Sequence, residues 1–267
     1  MIRFIAPPPD LKDWTDGAVV VRPPAGVSQT RFPPMLSSMI TLRLGGQVLD
    51  ELGRLLPAAT FHGLSNRARS FHNVGEVFAL GLILTPEAGP SVVDHGWGPR
   101  DVAGAILEAP AVLGPAWHST EAEIVQADND DARVHALFRF LSARATDPQR
   151  RAMHARLRRL GCQTIGLRLA QSRTASRTLE RRFAREFGIS PHRFAVLQRL
   201  RACLVGLING ADGPRLALEH GYYDQSHLAR DFRRFVGRTP GSVRQLPAMQ
   251  LDQDWPIGVA AMDGYPT

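Results

Sequence analysis

Lysine is almost missing from this chain: of its 32 basic residues only Lys12 is a lysine, and the rest are arginine. With its one lysine outside any phosphate loop, the sequence excludes a Walker-type nucleotide site. A GC-rich genome alone can produce that bias. Arginine still has a physical consequence, because its planar fork bridges a phosphate or a guanine edge where an ammonium acts as a point charge. Cysteine is scarce as well. Cys162 and Cys203 form no CxxC pair, and isolated thiols fit a packing role in a reducing compartment. Long hydrophobic runs are absent. The apolar start of MIRFIAPPPDLKDW stops at its prolines, too short for a signal peptide, and Val77 to Leu84 is only strand length. The expectation is no membrane span and a cytoplasmic location. GxSxG, GxGxxG after a strand, HxH and HExxH are all lacking, so neither an enzyme nor a cofactor is expected.

What is present is distributed unevenly. A chain of 267 residues with 44% hydrophobic content can bury two ordinary cores. Residues 133 to 246 hold 23 arginines against seven acids, a charge of +16, while the rest of the chain holds nine basic and 18 acidic residues, −9, which together give the +7 of the whole. Such a split points to one module that meets a polyanion and another with a different task.

Residues 1 to 125 are rich in proline, glycine and short apolar runs (Ala18 to Val21, Ser38 to Leu44, Val74 to Leu84), which predicts a β-rich domain. From Asp128 the texture turns helical. Asn129, Asp130 and Asp131 are candidate caps, and Val134, Leu137, Phe138 and Leu141 mark one helix face. Asp147-Pro148 opens a second helix, for which Gly161 is the predicted end, so 126 to 161 reads as a helical linker. Residues 162 to 246 read as an all-α domain, and 247 to 267, with three prolines, as a loose tail.

The basic segment contains one unit twice. Leu169-Ala170 is followed by Arg177, Leu179, Arg181, Arg182, Phe183, Arg185 and Gly188; Leu216-Ala217 is followed by Leu228, Arg230, Phe232, Arg233, Arg234 and Gly237. Short helix, tight turn and basic amphipathic helix is the helix-turn-helix plan, whose second helix enters the major groove. With Leu179 and Phe183 inward, Arg177, Glu180 and Arg181 face out; Gln225, Ser226, His227 and Arg230 occupy the comparable positions of the second copy. Arg181 and Arg230 both follow the core leucine by two residues and are the strongest candidates for base contacts. Arg182, Arg185, Arg233 and Arg234 lie further along, where phosphates are the expected partners. A helix predicted from Pro191 to about Ile208 would be about 27 Å long. That approaches the roughly 34 Å between successive major-groove faces.

From about Thr164 to Gln245 the sequence resembles the AraC/XylS-type DNA-binding domain of bacterial transcription regulators. The residues that carry the resemblance are Leu169-Ala170, the run Arg177-Thr-Leu-Glu-Arg-Arg-Phe183, Gly188-Ile-Ser-Pro191, Arg201, Gly221-Tyr-Tyr-Asp-Gln-Ser226, Phe232 and Gly237-Arg-Thr-Pro240. Two departures stand out. The first unit lacks the turn glycine and has Ala175 where the family usually has a capping serine; the second is shortened around Asp212-Gly-Pro214. The resemblance implies an α+β chain, a β-rich sensor or oligomerisation domain followed by two helix-turn-helix units, with Arg177 to Arg181 and Ser226 to Arg230 in successive major grooves. It also implies promoter DNA as partner and admits a small-molecule effector, RNA polymerase and a second copy of the chain. A weaker likeness links Phe61-His-Gly63 and Val77 to Leu84 to the sensor domains of such proteins, with no functional residue carried over.

Other features have blander readings. His62, His72, His95 and His118 would be metal ligands in a cupin-like barrel, but no tight ligand pair occurs, and ordinary roles are expected. Trp14, Trp97 and Trp117 are candidate walls of a ligand pocket, with core packing the safer reading. Phe138 and Leu141 fit a dimer face and packing against the first domain equally. The competing reading of the whole chain is an enzyme in the first 125 residues with a nucleic-acid-tethering helical appendage. Membrane-surface binding is disfavoured, because the basic helices need their Leu and Phe for a core.

Overall fold

Alternation of side chains along seven strands divides the first half of the molecule. The computed structural model describes residues 2–65, 67–169 and 177–246, the side chains of 163–169 excepted. The strands are β1 (Ile2–Ile5), β2 (Thr15–Val21), β3 (Gln29–Phe32), β4 (Ser38–Leu49), β5 (Ala59–His62), β6 (Arg69–Leu84) and β7 (Ile106–Glu108). All pair antiparallel, in the order β1-β2-β6-β4-β5-β7, with β3 added to the first half of β6. Successive strand residues point to opposite faces. Accordingly Ala18, Val20, Ile40, Leu42, Leu82 and Leu84 enter one core, while Val19, Met39 and Ile83 pack on the other face. The register between β4 and β6 shifts at Arg43/Gly45 and Gly45/Gln47, and Gly46, at φ +65, lies against the backbone of Glu76 and Val77. Those irregularities interrupt the regular pairing of the two longest strands.

The first 125 residues hold more helix than their composition suggested. After β6 come α1 (Ala88–Val92), α2 (Pro99–Val102), α3 (Ala109–Leu113) and α4 (Ala116–Gln126). Pro99 and Pro110 occupy helix first turns, where a missing N–H costs nothing. The prolines that read as strand punctuation are helix starts. The predicted linker begins with α5 (Asp130–Thr146), where the Asn129 side chain accepts from the Ala132 N–H at 2.9 Å. Val134, Leu137, Phe138 and Leu141 are all buried in the sheet-facing core, so Phe138 and Leu141 pack against the first domain rather than forming a dimer face.

The next helix, α6 (Pro148–Leu169), is capped by Asp147, which accepts from the backbone of Gln149 and Arg150 at 2.9 Å. It does not end at Gly161. That glycine has no left-handed backbone; a side chain there would meet Glu87 Oε1 at 3.4 Å and Phe187 at 3.9 Å. Those are ordinary van der Waals distances, so nothing there requires a glycine, and the helix runs on through it. The predicted turn at 173 to 175 and the tail at 247 to 267 lie outside the described residues.

Among the described residues there follow α7 (Arg177–Phe187), α8 (Pro191–Ile208), α9 (Gly213–Glu219), α10 (Gln225–Asp231) and α11 (Pro240–Arg244). Their apolar faces form a second core around Phe183, Phe194, Leu200, Leu228 and Phe232, into which Leu36 and Leu64 of the β-rich half also reach.

Candidate nucleic-acid interface

Each basic unit is built by the same local chemistry. In the first, Phe183 and Phe187 stack at 4.4 Å and Phe194 of α8 meets Phe183 edge-on at 5.3 Å. Gly188, at φ +74, stops α7, and the Ser190 hydroxyl caps α8 by accepting from the Arg193 N–H at 3.3 Å. Burying the phenylalanines leaves Arg177, Glu180, Arg181, Arg182 and Arg185 exposed together. Glu186, buried beneath them, pairs with Arg156 at 2.8 Å and Arg185 at 3.3 Å. Among the described residues Arg177, Arg181 and Arg182 have no acidic partner.

In the second unit Gly221, at φ +70, follows α9, and the Asp224 carboxylate caps α10 by accepting from the His227 N–H at 2.6 Å. The α-helical part of α10 is short; a π-helical turn over Phe232–Val236 carries it to Gly237 at φ +72. Leu228 and Phe232 are fully buried. Gln225, Ser226, Arg230, Arg233 and Arg234 are exposed, while His227 is half-buried with its ring edge 5.1 Å from Tyr222. The Arg234 guanidinium lies 5.1 Å from the Phe235 ring. Tyr223, directly before the cap, is 92% exposed and was not among the predicted contacts. Its signal was position, one residue before the capping Asp224. The connecting helix α8 has the 18 residues its punctuation predicted.

A second site lies in the β-rich half. The cavity-facing side of the sheet encloses about 130 Å³, lined by apolar residues such as Val21, Phe32, Met39 and Phe71 and by a few polar groups. Thr41 and Thr60 share a 2.6 Å hydrogen bond, and Thr60 meets His62 Nε2 at 2.8 Å. Burial, helped by the nearby Arg69 charge, pushes the His62 pKa down to about 4, so its ring is neutral. Arg43 donates to the Leu56 carbonyl at 2.8 Å and Arg69 to the Gly104 carbonyl. Both arginines escaped the sequence reading; the available signal was an arginine at an inward-alternating strand position. Trp14, Trp97 and Trp117 do not line this cavity. Trp14 stacks on His154 at 4.2 Å, Trp97 donates to the Ala111 carbonyl, and Trp117 is fully buried against Phe140. No group of His, Cys, Asp or Glu able to hold a metal ion occurs among the described residues. Nor is any helix among them long and apolar enough to cross a membrane.

Polar contacts join the cavity wall to the helical half. Arg201 of α8 donates to Ser37 Oγ at 3.3 Å and lies 3.9 Å from Asp16, and Ser37 lines the cavity. Asp16 is buried, and desolvation, opposed by Arg201 and Ser37, raises its pKa to about 6. The Ala68 N–H donates to the Phe235 carbonyl at 3.2 Å. Ala103 and Pro99 close on Gly188, leaving no room for a side chain there. His154 and Arg158 of α6 reach the Asp13 carbonyl and carboxylate at 2.9 and 2.6 Å.

Residues 169–246 match the family described as a helix-turn-helix domain. No curated protein matches the chain by sequence. Among solved structures, an apo variant of ToxT from Vibrio cholerae has 10% identity and a TM-score of 0.43, with 85% of this chain and 96% of that one covered. Wild-type ToxT from the same organism, bound to an unsaturated fatty acid, has 11% identity and a TM-score of 0.43, with 86% and 96% covered. A superposition this loose transfers neither ligand nor mechanism to this chain.

Proposed function

We propose that this chain, whose residues 169–246 are an AraC-type helix-turn-helix domain, is a cytoplasmic regulator that reads promoter DNA through both units and is controlled through its β-rich half. The observation that carries the reading is the pair of recognition helices, each with its aromatic core buried and its arginines exposed. On this reading Arg177, Arg181, Gln225, Ser226, His227 and Arg230 approach base edges, Glu180 restricts which bases are accepted, and Arg182, Arg185, Arg233 and Arg234 hold phosphates. We divide the chain into an effector-binding part at 1–125, a helical linker at 126–161 and the DNA-binding part at 162–246. RNA polymerase and a second copy of the chain are its further partners.

Control would run through the shared wall. Ser37 belongs both to the cavity and to the Arg201 contact, Arg69 ties the cavity to the 103–105 turn that abuts Gly188, and Ala68 is bonded to the end of the second unit. An occupant that moves these groups has a short route to both recognition helices.

Fluorescence anisotropy of the full chain on a fragment from upstream of its own gene, titrated with salt and competitor duplex, tests the reading. Binding that survives excess competitor and weakens steeply with salt is the expected result. Affinity equal to that for a random duplex refutes it.

A further inference from the structure

We propose that the β-domain cavity takes a small organic monocarboxylate, its carboxylate held by Arg43 and Arg69 and its compact apolar body enclosed by the sheet. The proposal rests on the reading of this half as the effector-binding part and adds the ligand's chemical class.

The argument begins with charge. Outside residues 133 to 246 the chain is acidic, yet neither Asp nor Glu lines the cavity, while Arg43 and Arg69 both do. Each guanidinium has a backbone carbonyl as its hydrogen-bond partner, Leu56 for Arg43 and Gly104 for Arg69, and neither has a carboxylate ion pair among the described residues. Burial lowers the pKa of both, for Arg69 with help from the Arg67 charge and against the pull of Glu51 and Asp50, which lie outside the cavity lining; this is the signature of cations held away from full solvation. A partly desolvated arginine keeps several of its five N–H donors directed at whatever shares its space, and a carboxylate matches that fork.

The remaining wall limits the body of the ligand. Beside polar side chains such as Thr30, Thr41, Thr60 and Asn73, most of the wall is apolar, Val21, Phe32, Met39 and Phe71 among it; Thr41 and Thr60 are bonded to each other, and His62 is neutral and bonded to Thr60. A second positive charge would face Arg43 and Arg69 with no acid on the lining to balance it, and a ligand polar on every side would leave groups unsatisfied along the apolar part, at a cost for each. The cavity of about 130 Å³ is close to the roughly 150 Å³ of an engineered cavity that accepts benzene. A six-membered ring or a short branched chain matches that volume.

Isothermal titration calorimetry on the full chain tests this with benzoate and hexanoate, their neutral amides, and inorganic phosphate, which carries charge without the apolar body. Saturable binding of at least one carboxylate is expected, with its amide and phosphate each weaker by on the order of tenfold or more, the loss of a charge-assisted pair. Arg43→Gln and Arg69→Gln should each weaken it on the order of tenfold, whereas Arg67→Gln, which removes an exposed neighbour outside the lining, should leave it unchanged. Because Arg69 also supports the Gly104 turn, Arg43→Gln provides the readout free of that contact. Amides that bind as tightly as the acids, phosphate that binds as tightly as either, carboxylate binding that survives both substitutions, or no binding by any probe overturns the proposal. DNA anisotropy on the same preparations separates the two readings: specific DNA binding without ligand binding sinks only the ligand class.

Discussion

Arginines do different work in two parts of the basic half. In α5 and α6 several are held by acids: Arg144 and Arg150 converge on Asp94, and Arg133 joins Arg22 of the β-rich half on Asp130. Arg158 reaches Asp13. On α7 and α10, Arg177, Arg181, Arg182 and Arg230 stand in solvent and are ion-paired to no acid among the described residues. The +16 therefore mixes two populations. One joins the halves of the molecule and is already neutralised. The other retains its charge, which is the population a phosphate backbone can use.

Breaking the core beneath the second population should have the largest effect. Phe183→Ala removes a fully buried ring stacked on Phe187 and met edge-on by Phe194, and should cost about 3 to 5 kcal/mol of stability in urea denaturation. Breaking the first population comes next. Asp94→Ala strands Arg144, which is only 8% exposed, and should cost about 2 kcal/mol, discounted because Asp94 itself is partly in water. A loss below that of an ordinary surface substitution would mean the junction pairs are ornamental.

Substitutions on the recognition helices should spare stability and act on binding. Arg181→Ala should cost about 1 to 3 kcal/mol of DNA affinity and relax specificity at one base pair, whereas Arg234→Ala should weaken all sequences similarly and lower the salt slope by about one. Anisotropy on the cognate site and its point variants distinguishes them. Equal, sequence-independent losses for both would erase the proposed division between base and phosphate contacts.

The smallest expected effect is a pH dependence at the seam. Burial raises the folded-state pKa of Asp16 to about 6 from an ordinary value of 3.8. The folded protein therefore holds this proton more tightly than the unfolded chain, and the resulting stability is full below 3.8 and lost as pH rises through about 6. Thermal melts of the wild type minus those of Asp16→Asn should show that decline between pH 4 and 7. The difference cancels the opposite trend of Asp94. Burial alone would raise its pKa, but Arg144 and Arg150 outweigh burial and hold it low, so its stabilisation is lost on acidification. A pH-independent difference between the two proteins would exclude a buried, titrating Asp16.

Legibility in the sequence followed the range of the interaction. Caps and left-handed stops are local, so Asp147 marked its helix start correctly, and Ser190, Asp224, Gly188 and Gly237 bound their helices by the same local chemistry. The i, i+4 pairs Leu179/Phe183 and Leu228/Phe232 placed the inward face of each recognition helix, and with it the outward arginines. Gly161 misled because a glycine stops a helix where its backbone turns left-handed, and this one keeps the helical backbone of α6. The cavity was harder to read. Arg43 and Arg69 become neighbours of one space only after β4 and β6 pair, and an arginine at an inward-alternating position, the signal the strands do carry, does not say which space it faces. The prolines of 88–126 misled differently, since proline serves helix first turns as well as strand ends.

The central claim is that two units of one chain read successive major grooves from one side of the duplex. Hydroxyl-radical and methylation-interference footprinting on the bound site tests it most directly, repeated on a site with five base pairs inserted at its centre. Two protected major-groove patches about one helical turn apart are predicted, with binding sharply weakened by the half-turn insertion. A single protected patch, or undiminished affinity for the expanded site, would contradict it.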